Sequence, residues 1–417
     1  EQDRQLMIRI FTEVEASTVL GRSVDRVGAA MVISAPIVED VRLRGDAALK
    51  DYRQRFDLVA CDEPLYLDTV GELSADLHKA VDQASRNIQS FAEAQLPTSW
   101  MREFSDGRSL GQVIRPLDSV GVYVPAGRYP LISTLLMAVI PAQVAGVQNI
   151  MVACPRPSLD MLAVAKLLGV RQILHAGGAQ AIAAMAYGTE SVKPVQRIVG
   201  PGNAYVAAAK KLVSQDVAID FVAGPSEILI VASQGDARWI ASDMLAQAEH
   251  DVDARAILLT TDMEFALRVQ AEIEIQLSSL STAKVAKWAI DENSAIVICD
   301  TIESAFSLVN SIAPEHLSVE HKDDVNRVNN AGSIFVGRFS TEAAGDYASG
   351  PNHILPTSGV AAVRGGLSVN DFVKVMTVQD LSKTALSALE PAVTVLARAE
   401  GLEAHACSVE MRNNATS

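Results

Sequence analysis

Val120-Gly121-Val122-Tyr123-Val124-Pro125 reads as a short buried strand running out into the turn Ala126-Gly127-Arg128-Tyr129-Pro130, and the segments after it repeat the theme. A helix of small apolar residues is expected over 132–145, a strand over 150–154, a helix over 161–168, a strand over 172–175 and a helix over 179–187. Apolar strands alternating with helices build βαβ units and a parallel sheet. A second alternating series, with strands expected at 228–232, 256–260, 295–299 and 333–336, predicts a second α/β domain. The fold class is therefore α/β.

Working outward, residues 1–19 and 37–55 read as charged helices with apolar residues three and four apart. Pro36 stands just ahead of the second, where a missing N–H costs little. The same spacing continues over 75–95 through Leu77, Val81, Ala84 and Ile88, with His78 on the polar face. From Gly365 onward the chain is expected to be helical again, mainly over 381–398, before a polar tail. No internal repeat occurs at the 20–50-residue periods of solenoids.

The 417 residues exceed one ordinary core, so two or more domains are expected. With 49% apolar and 20% charged residues the composition is globular. A net charge of −15 repels phosphate backbones and anionic membranes, and no local basic stripe offsets it, so no nucleic-acid or membrane partner is expected. Cys61, Cys154, Cys299 and Cys407 are scattered without a CxxC pair. Cys154 and Cys299 end apolar runs and read as buried thiols of a reducing compartment. With no leader at the head of this sequence and no apolar run of spanning length, the expectation is a soluble, cytoplasmic chain.

Chemistry is suggested by Ile312-Ala313-Pro314-Glu315-His316-Leu317, which sets a carboxylate beside an imidazole just after a proline. Pro314 biases the chain away from helix, so Glu315 and His316 are expected at a loop edge or the first turn of a helix. An imidazole can take an alcohol proton near neutrality, and a neighbouring glutamate can activate water or orient the ring. Such a pair alone is an ordinary surface feature. It gains weight from the glycine-framed polar runs Gly345-Asp346-Tyr347 and Gly350-Pro351-Asn352-His353 in a chain with seven histidines.

Gln247 and His250 are three apart at the end of an apolar-periodic helix and would share one face. Two ligands do not make a metal site, and a pair like this is more often core or surface than ligand. Asp346 and His405 are plausible completing groups, and oxygen and nitrogen ligands without thiolate suit Zn²⁺, Mn²⁺ or Co²⁺. Neither GxGxxG nor GxxxxGK[ST] is present. Gly177-Gly178-Ala179-Gln180 and Gly200-Pro201-Gly202-Asn203 each precede an expected helix, where free N–H groups favour anions, though both could be simple tight turns.

Taken together and in order, Tyr123-Val124-Pro125-Ala126-Gly127, His175-Ala176-Gly177-Gly178-Ala179-Gln180, Gly200-Pro201-Gly202-Asn203, Ala223-Gly224-Pro225-Ser226-Glu227, Leu245-Ala246-Gln247-Ala248-Glu249-His250-Asp251, Ala313-Pro314-Glu315-His316-Leu317 and the two runs around Asp346 and His353 resemble the histidinol dehydrogenase family. The resemblance runs from about residue 20 to residue 412. It implies two incomplete Rossmann-like domains with parallel sheets plus small helical N- and C-terminal elements. The implied boundaries are a helical element over 1–19 and a first α/β domain over 20–122 and 228–362, carrying the catalytic and metal residues. An NAD-binding α/β domain over 123–227 and a C-terminal helical segment over 363–417 complete the chain.

By resemblance, zinc falls to Gln247, His250, Asp346 and His405, one ion per subunit. The catalytic pair is Glu315 and His316. Substrate contacts fall on Ser226, His353 and Glu400, besides Gln247, His250, His316, Asp346 and His405. NAD contacts fall on Tyr123, Gln180 and Asn203. The family is a homodimer, so His405 would reach the partner's active site. Family members read Gly-Gly after Tyr-Val-Pro, where this chain has Ala126-Gly127, which removes no functional group. The implied reaction is the NAD-dependent four-electron oxidation of L-histidinol to L-histidine via L-histidinaldehyde, the last steps of histidine biosynthesis. In it, His316 takes the hydroxyl proton and Glu315 activates water at the aldehyde stage. A paralogous zinc and NAD enzyme of another small alcohol, such as a sulfonated diol, would keep the Glu-His core but change Ser226, His353 and Glu400. A zinc hydrolase would need an open metal position and no dinucleotide site.

Overall fold

The computed structural model describes residues 8–16, 20, 26–60, 62–126 and 131–414. The turn residues 127–130, Cys61, and residues 1–7, 17–19 and 415–417 of the expected terminal segments lie outside them. The chain divides into two compact units, one of residues 1–95 and 118–372, the other of residues 96–117 and 373–417.

The first unit holds two six-stranded sheets among the described residues. One runs Arg9–Thr12, Ala295–Ile298, Arg255–Thr260, Glu227–Val231, His316–Val319, Ser333–Val336, parallel throughout. Its central strand Glu227–Val231 is buried along its whole length, as a strand with helices on both faces must be. Alternate residues supply separate cores. Ile228, Ile230, Ala256, Leu258 and Ile296 pack on one face, and Leu229, Val231, Ile257, Leu259 and Val297 on the other. Each fully buried aliphatic side chain contributes about 1.5–3 kcal/mol.

The other sheet runs Tyr66–Asp68, Gln172–Leu174, Asn149–Ala153, Ser119–Tyr123, Arg197–Val199, Ala218–Ile219. Only Tyr66–Asp68 is antiparallel to its neighbour. In chain order from Ser119–Tyr123 the strands step one way and then jump to the far side, so the order reverses between Ser119–Tyr123 and Arg197–Val199. The two α/β halves, and most of their strands and helices, lie where the alternation placed them.

Three expectations for the first unit are corrected. Residues 9–12 are a strand at the edge of the first sheet, not part of a helix. The helix expected to begin after Pro36 begins at Arg26 and runs through the proline to Arg44. An interior proline costs about 3 kcal/mol. Ile37, Val38 and Val41 offset that by burying in the core of the second α/β half, where the helix packs on helices Gly178–Tyr187 and Ala204–Val213. Those contacts, with Tyr66–Asp68 and Ser119–Tyr123, also join residues 26–68 and 119–123 to the second sheet rather than to the 227–336 sheet.

The second unit is not simply helical. Trp100–Glu103, Arg108–Pro116 and Val373–Leu381 form an antiparallel sheet, the last two paired over nine residues. Helices Lys383–Ala399 and Glu403–Asn413 follow, so the expected polar tail is helical to Asn413. Val373, Val375, Thr377 and Val378 are β-branched, a compositional strand signal that a count of helical spacing does not weigh.

Candidate active site

The helix Ile302–Ile312 ends because Ala313 takes a left-handed conformation (φ +52°) and Pro314 cannot continue it. His316 then opens the strand His316–Val319, and Glu315 lies in the bend before it, so the first-turn alternative is excluded. The bend is pinned by Gly332 N–H to the Pro314 carbonyl (2.9 Å) and Ser333 N–H to the Glu315 carbonyl (2.9 Å). A Cβ on Gly332 would lie 2.5 Å from that Glu315 oxygen, so the approach requires glycine.

His316 pairs in register with Ile228, next to Glu227, which opens the adjacent strand. The N-terminal ends of two neighbouring strands thus bring Glu227, Glu315 and His316 together. The Glu227 N–H donates to Glu315 Oε2 (2.8 Å), and His316 Nδ1–H donates to the Glu227 carbonyl (3.1 Å). That bond fixes the ring and leaves Nε2 buried without a hydrogen-bond partner.

The short helix Glu342–Tyr347, capped by Thr341, puts Glu342 and Asp346 four apart on one face. Glu342 Oε1 lies 3.6 Å from His316 Nδ1, and Asp346 Oδ1 lies 3.6 Å from Nε2. Gly345 lets the helix lie against Phe335, where a Cβ would come within 2.6 Å of the ring. Burial pushes Glu315 up to about 8 and Glu342 well above the carboxylate range. Burial opposes the charged imidazole, but Glu342, Glu315 and Asp346 outweigh it and carry His316 up to about 10. Asp346 is held low against its own burial by His316. So many buried carboxylates around one ring suit a cationic ligand or a metal.

Gln247, at the end of helix Ala237–Ala248, is fully buried with both amide atoms unpartnered. His250 Nδ1–H donates to the Ala246 carbonyl (3.0 Å), leaving Nε2 as a ligand atom, 3.8 Å from Asp346 Oδ2. An orphaned buried amide and a paired imidazole and carboxylate with a gap between them fit a divalent ion. His316, Glu342 and Asp346 also converge closely enough to share one. His353 donates from Nδ1 to the Asp346 carbonyl (2.6 Å), and its Nε2 lies 3.3 Å from Thr134 Oγ1. Ser226 immediately precedes Glu227 and is half-buried. Glu400 and His405 stand on the second unit, at the end of one helix and in the first turns of the next.

The expected cofactor residues gather at the carboxyl ends of the second sheet. The order reversal between Ser119–Tyr123 and Arg197–Val199 opens the crevice where ligands bind in such sheets. Tyr123 ends one wall, and Gly200 to Asn203 form the other. Asn203 Oδ1 caps helix Ala204–Val213, accepting from Tyr205 and Val206 N–H (3.1 Å each). Tyr123 Oη accepts from Gly178 N–H (3.1 Å). Gln180 is buried, its Nε2 donating to Asp57 (3.2 Å).

Two carboxylates escaped the sequence reading as site residues. Glu227 closes the quoted run Ala223 to Glu227, and Glu342 follows the helix-capping Thr341 four residues before Asp346. The i, i+4 spacing to Asp346 was the available signal.

The histidinol dehydrogenase family model matches residues 21–413. A histidinol dehydrogenase of Geobacillus kaustophilus is 47% identical over 392 residues, covering 90% of this chain and 92% of that one. One of Methanosarcina mazei is 42% identical over 417 residues, covering 96% of each. The crystal structure of histidinol dehydrogenase from Elizabethkingia anophelis superposes with a TM-score of 0.92 at 35% identity, covering 99% of each chain.

Proposed function

The chain belongs to the histidinol dehydrogenase family, and on that premise we infer that it oxidises L-histidinol to L-histidine through L-histidinaldehyde, reducing two NAD⁺. The observation that carries the reading is His316, anchored through Nδ1 with Nε2 open, beside the buried carboxylate of Glu315. We assign catalysis and metal binding to the amino ends of the first sheet and cofactor binding to the crevice of the second. Gln247, His250, Asp346 and His405 would hold one zinc ion, with His405 supplied by the partner in a homodimer. Zinc would supply Lewis-acid binding that orients the substrate, and NAD⁺ would serve as the hydride acceptor.

His316 accepts the hydroxyl proton at Nε2. The surrounding carboxylates raise this ring's affinity for a proton, and positive charge held at Asp346 would lower it. Glu315 removes a proton from the water that hydrates the aldehyde, and His316 serves again in the second oxidation. Ser226, His353 and Glu400 add substrate contacts, and Tyr123, Gln180 and Asn203 support the cofactor. Glu342 sets a further carboxyl group 3.6 Å from His316, whose ionised form a cationic substrate would favour. Free, buried Cys154 and Cys299 support a cytoplasmic location. Among the described residues no helix is long and apolar enough to cross a membrane.

The test counts NADH formed from limiting L-histidinol with excess NAD⁺. Two per substrate, with histidine as product, is expected. One per substrate with aldehyde accumulating would overturn the four-electron reading, and no turnover of histidinol would favour another small alcohol.

A further inference from the structure

Beneath the crevice of the second sheet lies a buried ion pair that the reaction does not use. Lys210 is 2% exposed on helix Ala204–Val213, and Asp220, 4% exposed, follows strand Ala218–Ile219. Lys210 Nζ contacts Asp220 Oδ1 and donates to the Gly200 carbonyl (2.9 Å). The Gly200 N–H donates to Asp220 Oδ2 (2.8 Å), and the Phe221 N–H to Oδ1 (2.6 Å). One glycine is thus held by its carbonyl and its amide from the two members of one pair.

Gly200 is where the crevice walls meet. Its φ of +115° is open to glycine, and a Cβ there would strike the Tyr123 carbonyl. Three residues on, Asn203 starts the helix whose second turn returns Lys210 to Gly200, since helical side chains lean toward the amino end. Asp220 is fixed in turn, its N–H donating to the Ile198 carbonyl (3.2 Å) and its carbonyl accepting from Arg364. A buried ion pair adds little net stability over apolar residues of the same volume. What this pair supplies is position.

We propose that Lys210 and Asp220 are positioning residues for the cofactor: together they clamp Gly200 and so set the spacing between Tyr123 and Asn203. This rests on reading the crevice as the NAD site. The test compares wild type, Lys210→Met, Asp220→Asn and the double variant with Ile290→Ala. Ile290 is a buried residue on the first sheet's helix Ala283–Asn293 and serves as a stability control. KM for NAD⁺, KM for L-histidinol, kcat, zinc content and thermal midpoint are measured, with NAD⁺ affinity taken separately by equilibrium titration.

Lys210→Met and Asp220→Asn should raise KM and Kd for NAD⁺ about tenfold or more. KM for histidinol at saturating NAD⁺ should stay within about twofold, and zinc content should be unchanged. Ile290→Ala should lower the midpoint without moving either KM. If a single variant fails to fold, the double variant, which leaves no unpaired buried charge, carries the same expectation. Variants that lose midpoint but keep wild-type NAD⁺ affinity would overturn the proposal. A wild type that binds NAD⁺ without oxidising histidinol would sink the assigned reaction and leave the clamp to be judged by titration. A wild type that binds no NAD⁺ would overturn both.

Discussion

His316 has two nitrogens with different roles. Nδ1 is committed to the Glu227 carbonyl, so only Nε2 can exchange a proton with substrate. Asparagine at 316 can still donate to that carbonyl but has no titrating nitrogen. His316→Asn should therefore depress alcohol and aldehyde oxidation together, by the roughly 10²–10⁴-fold a general base supplies. Glu315→Gln keeps an acceptor for the Glu227 N–H and removes only the base. It should spare alcohol oxidation relative to the aldehyde step, because only the latter consumes activated water. Single-turnover NADH formation from histidinol and from histidinaldehyde separates the two, and equal losses for both variants in both steps would refute the division.

At the scale of elements, the strand Arg9–Thr12 closes one edge of the first sheet against Ala295–Ile298, and Ile8 just before it is 2% exposed. The Ile8 carbonyl accepts from Gln270 Nε2 (2.7 Å), tying the segment to helix Met263–Leu277. Without it, Ala295–Ile298 would become an open apolar edge, a template for another chain. Deleting residues 1–12 is expected to cost at least about 2 kcal/mol, from Ile8 burial alone. It should also produce concentration-dependent aggregates in light scattering. An unchanged thermal midpoint and a monodisperse product would show that the edge needs no cover. This strand was missed because four residues give too short a window to separate a period of two from one of 3.6. Its pairing partner lies almost three hundred residues away.

For the whole molecule, the proposed zinc ligands are Gln247, His250, Asp346 and His405, the last carried by the C-terminal helix Glu403–Asn413. If the partner subunit supplies His405, lesions on different chains can complement. Asp346→Ala and His405→Asn chains, each nearly inactive alone, should regain activity when mixed. One site of each heterodimer would receive both intact ligands, and the other would carry both lesions, so at most half the sites should work. No recovery despite demonstrated subunit exchange would put all four ligands on one chain.

Alternation of apolar strands with helices determined the α/β class, because burial on both faces demands near-continuous apolar runs such as Glu-Ile-Leu-Ile-Val at 227–231. Local chemistry likewise marked Glu315-His316, Gln247 with His250, and the glycine turns, since proline, glycine and cap residues act within a few positions of themselves. Partnership across the chain was not written locally. That Glu342 faces His316, that Glu227 supplies the carbonyl fixing its ring, and that Lys210 and Asp220 share Gly200 follow from strand order and helix packing. The same is true of residues 26–68 joining the second sheet. Periodicity states which face of an element is buried, and only the tertiary structure decides what it is buried against.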